Sequence, residues 1–145
     1  MQTQEAIVCV DDEAIILLDL IRQLKKHFQD RFVYSSAVSA EEGLQTISDL
    51  IDAEIRVILI ISDWQMPGMN GRDFLMEVER RHPGIHAVLM SAYPEAWLEQ
   101  QTTEISIIRA CFSKPIKMPA LIRFIESIRL DCSPVSVTND PRDCL

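Results

Sequence analysis

Four short apolar runs, each stopping at a polar residue and each separated from the next by a stretch of helical periodicity, restrict the folds open to this chain. The runs are Ala6-Ile7-Val8-Cys9-Val10, Val57-Ile58-Leu59-Ile60-Ile61-Ser62, His86-Ala87-Val88-Leu89-Met90 and Ala110-Cys111-Phe112-Ser113. The residues that follow them are Asp11 and Asp12, Asp63, Ser91 and Lys114. Short β-branched-rich runs bounded by turn signals read as parallel strands buried on both faces, because crossover helices cover the sheet. In an open parallel sheet, ligands bind in the crevice beyond the carboxyl ends of the strands, where the strand order reverses. The pattern therefore predicts that three carboxylates, a hydroxyl and an ammonium meet at one edge.

The intervening segments carry a 3.6-residue stripe. Ala14 to Phe28 sets Ile16, Leu17, Leu20, Ile21, Leu24 and Phe28 on one broad face, with Arg22, Lys25 and Lys26 outside, and should pack on the sheet beside the acidic pair. Ser39 reads as an N-cap followed by Glu41 and Glu42 in the first turn, where the helix dipole favours acids; the stripe Leu44, Ile47, Leu50, Ile51 follows. Asp73 to Arg81 gives a third helix with Phe74, Leu75 and Val78, stopped by Pro83-Gly84. Pro94 to Thr103 gives a fourth, and Pro119 to Leu130 a fifth with Leu121, Ile122, Ile125 and Ile128. This alternation predicts an α/β fold, a doubly wound five-stranded parallel sheet in order 2-1-3-4-5 with five helices. Residues 1–131 read as one domain. Residues 132–145, rich in turn formers and without periodicity, read as a flexible tail or the start of a linker.

Composition narrows the function. The formal charge of −8 disfavours direct nucleic-acid binding, which depends on clustered Lys and Arg. No apolar stretch approaches the ~20 residues that span a bilayer, and no leader precedes the first strand, so the expectation is a soluble cytoplasmic protein without membrane contact. Cys9, Cys111, Cys132 and Cys144 lack metal-type spacing and read as small hydrophobes in a reducing compartment, with Cys132 and Cys144 able to pair on oxidation.

Three carboxylates within a few ångströms repel, so either one holds a proton or a cation neutralises them. A hard ion such as Mg²⁺ takes oxygen ligands, usually one or two carboxylates with phosphate oxygens and water. Lys114, a fixed positive charge opposite the acids, suggests that a further anion such as a transferring phosphoryl group visits the pocket.

The same residues carry a resemblance. Asp11-Asp12, Asp63-Trp64-Gln65-Met66-Pro67-Gly68-Met69-Asn70-Gly71, Met90-Ser91-Ala92 and Ser113-Lys114-Pro115 stand in the order of the receiver domain of two-component response regulators, and the chain resembles the chemotaxis-type receivers from about Glu5 to about Asp131. The resemblance implies a flavodoxin-like receiver fold and a signalling domain, not an enzyme beyond its own phosphoryl uptake and loss. It implies Asp63 as phosphoacceptor. Asp12 would hold Mg²⁺ directly and Asp11 largely through water, with Asp63 and the Gln65 backbone carbonyl as further ligands. Asp11 could also cap the first helix. Ser91 and Lys114 would each meet a phosphoryl oxygen, Gln65 and Tyr93 would tune hydrolysis, and Lys114-Pro115 would be cis. The implied partners are a sensor histidine kinase or phosphotransfer protein as donor and an output partner or domain, with a phosphorylation-linked homodimer as one form of output.

One position departs from that family. The aromatic residue usual three places before the site lysine is Cys111 here, and alternation along the strand points the adjacent Phe112 to the other face. Trp97 and Leu98 are then candidates for the partner surface, with the alternative that one of them packs in the core. A Mg²⁺-dependent aspartyl phosphohydrolase of the haloacid dehalogenase type is a competing reading, but it needs a second Asp where Gln65 stands. A phosphorylation-independent interaction module or flavodoxin-like cofactor binder is a third.

Overall fold

Every apolar run of the sequence becomes a strand, and the strand that escapes the pattern lies at the rim. The computed structural model describes residues 3–131. Its strands are β1 (Glu5–Val10), β2 (Val33–Ala37), β3 (Arg56–Asp63), β4 (His86–Ser91) and β5 (Ile108–Ser113). All pair in parallel in the order β2-β1-β3-β4-β5. The helices are α1 (Ala14–Phe28), α2 (Ala40–Asp52), α3 (Gly71–Arg81), α4 (Glu95–Gln101) and α5 (Met118–Asp131). The inner strands β1, β3 and β4 are buried almost throughout, whereas β2, reading Val33-Tyr34-Ser35-Ser36-Ala37, is only half-buried. An edge strand needs no continuous apolar run, which is why β2 does not announce itself.

The described residues form two compact units, one through Pro115 and one from Ile116 to Asp131. The first contains the whole sheet and α1–α4. One face of that sheet, through Val8, Val10, Val57, Ile60, Ala87 and Leu89, shares a core with Ala40 and Ile47 of α2, Phe74, Leu75 and Val78 of α3, and Leu98 of α4. Past an irregularity at Ile58, where Ala6 pairs with Val57 but Ile7 with Leu59, alternation turns Ile7, Cys9, Leu59, Ile61, Val88 and Met90 the other way; all are buried. On α1 the buried positions are Leu17, Leu20, Leu24 and Phe28, while Ile16 and Ile21 are half-buried at the margins of the stripe. In the second unit, α5 buries Leu121, Ile125 and Ile128 at i, i+4, i+7 spacing.

Helix boundaries follow local chemistry. Ser39 caps α2 as expected, its hydroxyl accepting from the Glu42 N–H at 3.1 Å. The stripe of α2 is narrower than expected, because Gly43 takes the buried position between Ala40 and Ile47 and leaves Ile51 exposed. Helix α3 begins at Gly71 rather than Asp73, since the Asn70 side chain caps it by accepting from the Asp73 N–H at 2.8 Å. Helix α4 is shorter than expected. Pro94 sits at its N-cap, and past its end the Thr102 hydroxyl donates to the Leu98 carbonyl at 2.9 Å. Among the described residues no helix is long and apolar enough to cross a membrane. The expectations for 132–145, including Cys132 and Cys144, fall outside the described residues.

Candidate functional site

Strand register assembles the site. Val10 pairs with Ser62, Asp63 with Met90, and Ser91 with Ser113, so Asp11, Asp63, Ser91 and Lys114 leave four neighbouring strands at nearly one level. Carboxylate oxygens of Asp11, Asp12 and Asp63 lie within 4.8 Å of one another. Asp11 and Asp63 are buried and Asp12 is exposed, which gives the cluster one wall open to solvent. Lys114 Nζ stands 3.0 Å from Asp63 Oδ1 and 3.1 Å from Asp11 Oδ2. The Lys114-Pro115 bond is cis, as expected.

These charges perturb one another. Burial pushes the Asp63 carboxyl above the ordinary aspartate value; Lys114 pulls it down, Asp11 and Asp12 push it further up, and the net shift is upward. Burial works against the Lys114 ammonium, but its bonds to Asp63 and Asp11 outweigh that and raise its pKa. Three acids against one ammonium leave the pocket short of positive charge. An all-oxygen donor set with that deficit fits a hard divalent cation.

The remaining site residues are placed rather than clustered. Ser91 ends β4, nearly fully buried, and its Oγ accepts the Tyr93 N–H at 3.1 Å. Gln65 is exposed on the β3–α3 loop, which Met66 anchors in the core. Asp11 does not cap α1. Its Oδ1 accepts the Glu13 N–H at 2.9 Å, one residue before the helix, and Glu13 occupies the N-cap without a side-chain bond.

Several features were invisible in the sequence. Trp64, next to the acidic site, meets Trp97 of α4 edge-on with centroids 5.2 Å apart, and Trp97 meets Tyr93 at 4.7 Å. Ser113 ties the loop to β5, its hydroxyl donating to the Tyr93 carbonyl at 3.2 Å and its N–H to Glu95 Oε2 at 3.3 Å. The far end of α4 is tied to α3: Arg72 Nε donates to the Gln101 carbonyl at 2.8 Å and its guanidinium pairs with Glu104. Such contacts join residues far apart in the chain and leave no periodic trace. Of the two residues offered as partner surface, Leu98 is fully buried in the core and Trp97 is 36% exposed. The core claims Leu98 because α4 is packed on β4 and β5.

The two described cysteines, Cys9 and Cys111, are free thiols withdrawn from solvent. Cys9 is fully buried, which pushes its thiol up to about 12, and Cys111 is half-buried with its thiol also raised, first by burial. Cys111 packs on the α2–α4 core beside Thr102, and Phe112, paired with Met90, faces the opposite side of the sheet.

With this geometry in view, residues 7–126 match the model of the response regulator receiver domain, and the chain belongs to that family. The family is one of signalling domains. The chain is 30% identical over 111 residues to sporulation initiation phosphotransferase F of Bacillus subtilis (strain 168), covering 77% of this chain and 82% of that protein. It is 31% identical over 114 residues to a two-component response regulator of Oryza sativa subsp. japonica, covering 68% of this chain and 88% of the relative. Among solved structures, the signal receiver domain of an HD domain-containing protein from Pseudomonas fluorescens Pf-5 aligns with a TM-score of 0.71 at 25% identity, over 86% of this chain and 93% of that one. The five parallel strands in order 2-1-3-4-5 are the flavodoxin-like receiver fold.

Proposed function

We propose that this domain is a phosphorylation-regulated receiver, of the chemotaxis type, that accepts a phosphoryl group on Asp63 from a phosphohistidine of a sensor kinase or phosphotransfer protein and thereby changes its affinity for an output partner. The observation that carries this reading is the Asp63 carboxylate, buried at a strand end, 3.0 Å from Lys114 Nζ and crowded by two further carboxylates. An Asp63 oxygen attacks phosphorus in line, the P–N bond breaks, and the leaving imidazole keeps its electron pair. Lys114 faces a phosphoryl oxygen, and Ser91, one strand over, donates its hydroxyl to another once it turns from the Tyr93 N–H. Asp11, Asp12, Asp63 and the Gln65 carbonyl would hold Mg²⁺, which supplies charge neutralisation at the equatorial oxygens when bound. Water reaching the acyl phosphate later would reset the domain, at a rate tuned by Tyr93 and Gln65.

A protein donor is supported by α1. Directly after the acidic pair, Ile15 is 81% exposed and Leu18 is 69% exposed, one turn apart on the same face. Apolar side chains this open beside a charged cleft suit contact with another macromolecule. Incubation with Mg²⁺ and acetyl phosphate should add one acid-stable, base-labile phosphate at Asp63, and Asp63→Asn should abolish it. Equal labelling of the Asn variant at another position would sink the assignment.

A further inference from the structure

The peptide unit that follows Asp63 is held at both ends. Its N–H, on Trp64, donates to the Met90 carbonyl of β4 at 2.8 Å. Its carbonyl, on Asp63, accepts from the buried Ser62 hydroxyl at 3.0 Å. The same carbonyl lies against the start of α3. A Cβ built on Gly71 would fall 2.2 Å from the Asp63 oxygen, 3.0 Å from its carbonyl carbon and 2.9 Å from Leu89 Cδ1. Gly71 is itself fixed there, its N–H donating to the Trp64 carbonyl at 2.7 Å and closing the loop that leaves the acceptor.

Two glycines of that loop are glycine for different reasons. Gly68 has φ +81° and open space where a Cβ would be, so its backbone conformation explains it. Gly71 has no such φ and no such space. What a side chain at 71 would strike is the backbone of an inner strand, which cannot swing aside as the end of a flexible side chain can. Either the Asp63 peptide turns, and the carboxylate with it, or the first turn of α3 lifts and the Gly71–Trp64 bond breaks.

We propose that Gly71 and Ser62 are positioning residues for phosphoryl transfer, clamping the Asp63–Trp64 peptide so that the acceptor carboxylate leaves β3 aimed at the pocket. The inference rests on Asp63 being the acceptor. In-line attack tolerates little misalignment, and a displacement near 1 Å costs on the order of a hundredfold in rate. The clamp acts on the direction of attack and not on donor affinity. Its loss should therefore appear in the saturating rate of labelling and spare the donor concentration that gives half that rate.

The experiment measures Mg²⁺-dependent labelling by acetyl phosphate as a function of donor concentration, with thermal unfolding recorded for each variant. Gly71→Ala should lose about tenfold or more in saturating rate while the half-rate concentration shifts by less than about twofold. Ser62→Ala, which removes only the hydroxyl donor, should lose about threefold in the same parameter. Gly43→Ala is the comparator, because a Cβ there would press on the Phe74 ring and Val10 but on no atom of Asp63. It should lower the unfolding midpoint and keep the labelling rate. Leu89→Val removes the δ-carbon near Gly71; placed in the Gly71→Ala background it should not restore the rate, since the collision with Asp63 remains.

A Gly71→Ala rate within about twofold of wild type overturns the proposal, as does full recovery in the Leu89→Val background, which would assign the defect to core packing. Should Gly71→Ala fail to fold, Ser62→Ala decides, and an unchanged saturating rate there overturns the clamp. If wild type itself takes no phosphate on Asp63, the acceptor reading falls and the clamp with it. If wild type is labelled there and both variants match it, only the clamp falls.

Discussion

The two loops that flank Asp63, the proposed acceptor, are built on opposite principles. The β3–α3 loop is closed by bonds within itself and its strand: Gly71 N–H to Trp64 carbonyl, Asn70 side chain to Asp73 N–H, and Met66 sunk in the core. None of those bonds uses an atom that would touch a phosphoryl group. The β4–α4 loop is held partly by a group that would. Ser91 Oγ accepts the Tyr93 N–H, so a swing of that side chain toward a phosphoryl oxygen would exchange this bond for another. The loop leads into the seven-residue α4, whose N-terminal end carries Trp97 against Trp64 and whose C-terminal end is tied to α3 through Arg72. On the proposed function, the Asp63 side would keep its geometry and the Ser91 side would trade partners.

Metal binding would test the comparison most sharply, because of these two loops only β3–α3 carries a proposed ligand. The chain contains two tryptophans, Trp64 and Trp97, so Trp97→Phe leaves a reporter on the acceptor loop and Trp64→Phe leaves one on α4. Mg²⁺ should quench Trp64 strongly and Trp97 weakly, and should raise the unfolding midpoint through preferential binding to the native state. Asp12→Ala should weaken apparent Mg²⁺ affinity by about tenfold or more, since it removes the exposed charge of a three-carboxylate cluster. Equal quenching of both reporters would erase the distinction drawn between the loops. No response of either in saturating Mg²⁺ would count against the metal site.

A smaller effect tests what the fixed side costs without metal. Asp63 has its pKa raised by burial and by Asp11 and Asp12, against the pull of Lys114. An acid shifted upward on folding contributes stability below its unfolded pKa that is lost as pH rises through the folded value. The ionised Asp63 therefore weighs against the metal-free fold at neutral pH. Asp63→Asn should unfold at a higher temperature than wild type in chelator near neutrality, and the gap should close as pH falls below the ordinary carboxylate range. Lys114, shifted upward from an already high value, stays charged throughout that window and adds no slope. A variant less stable than wild type at every pH would mean that the lost Lys114 bond outweighs the relieved repulsion.

What could be read in the chain and what could not divides along the same line. Strand ends were legible because an inner parallel strand must be apolar on both faces, so Asp11, Asp63, Ser91 and Lys114 stand out as the first polar residues past each run. Strand β2 was not, since an edge strand needs only one apolar face. The i, i+3, i+4 stripe located α1, yet it gives no reason for Ile15 and Leu18, which lie off the stripe and stay exposed. Gly71 was legible as a motif residue but not as a space requirement, because only the folded loop brings it against Asp63. The ring contacts of Trp64, Trp97 and Tyr93 depend on how α4 is seated, which no local pattern encodes.

The smallest expected effect on chemistry is at Cys111, and it sharpens the contrast from the reading side. Cys111 sits on the face shared with α4 and lines a groove of about 210 Å³ with Glu99, Thr102, Ile105 and Ile108. It belongs neither to the acidic cluster nor to the Lys114 bonds. Cys111→Tyr should therefore leave phosphoryl uptake nearly unchanged. The ring would enter the groove beside α4 and restore the aromatic residue that receivers usually carry at this position, which alters how the β4–α4 segment settles once Ser91 turns. The coupling between phosphorylation and partner binding, of order 1–3 kcal/mol, should then change. The measurement is labelling by acetyl phosphate beside phosphorylation-dependent association, self-association included, on the same folded variant. Loss of phosphoryl uptake in that variant would place Cys111 in the chemistry and dissolve the division between a fixed acceptor loop and an exchangeable reading loop.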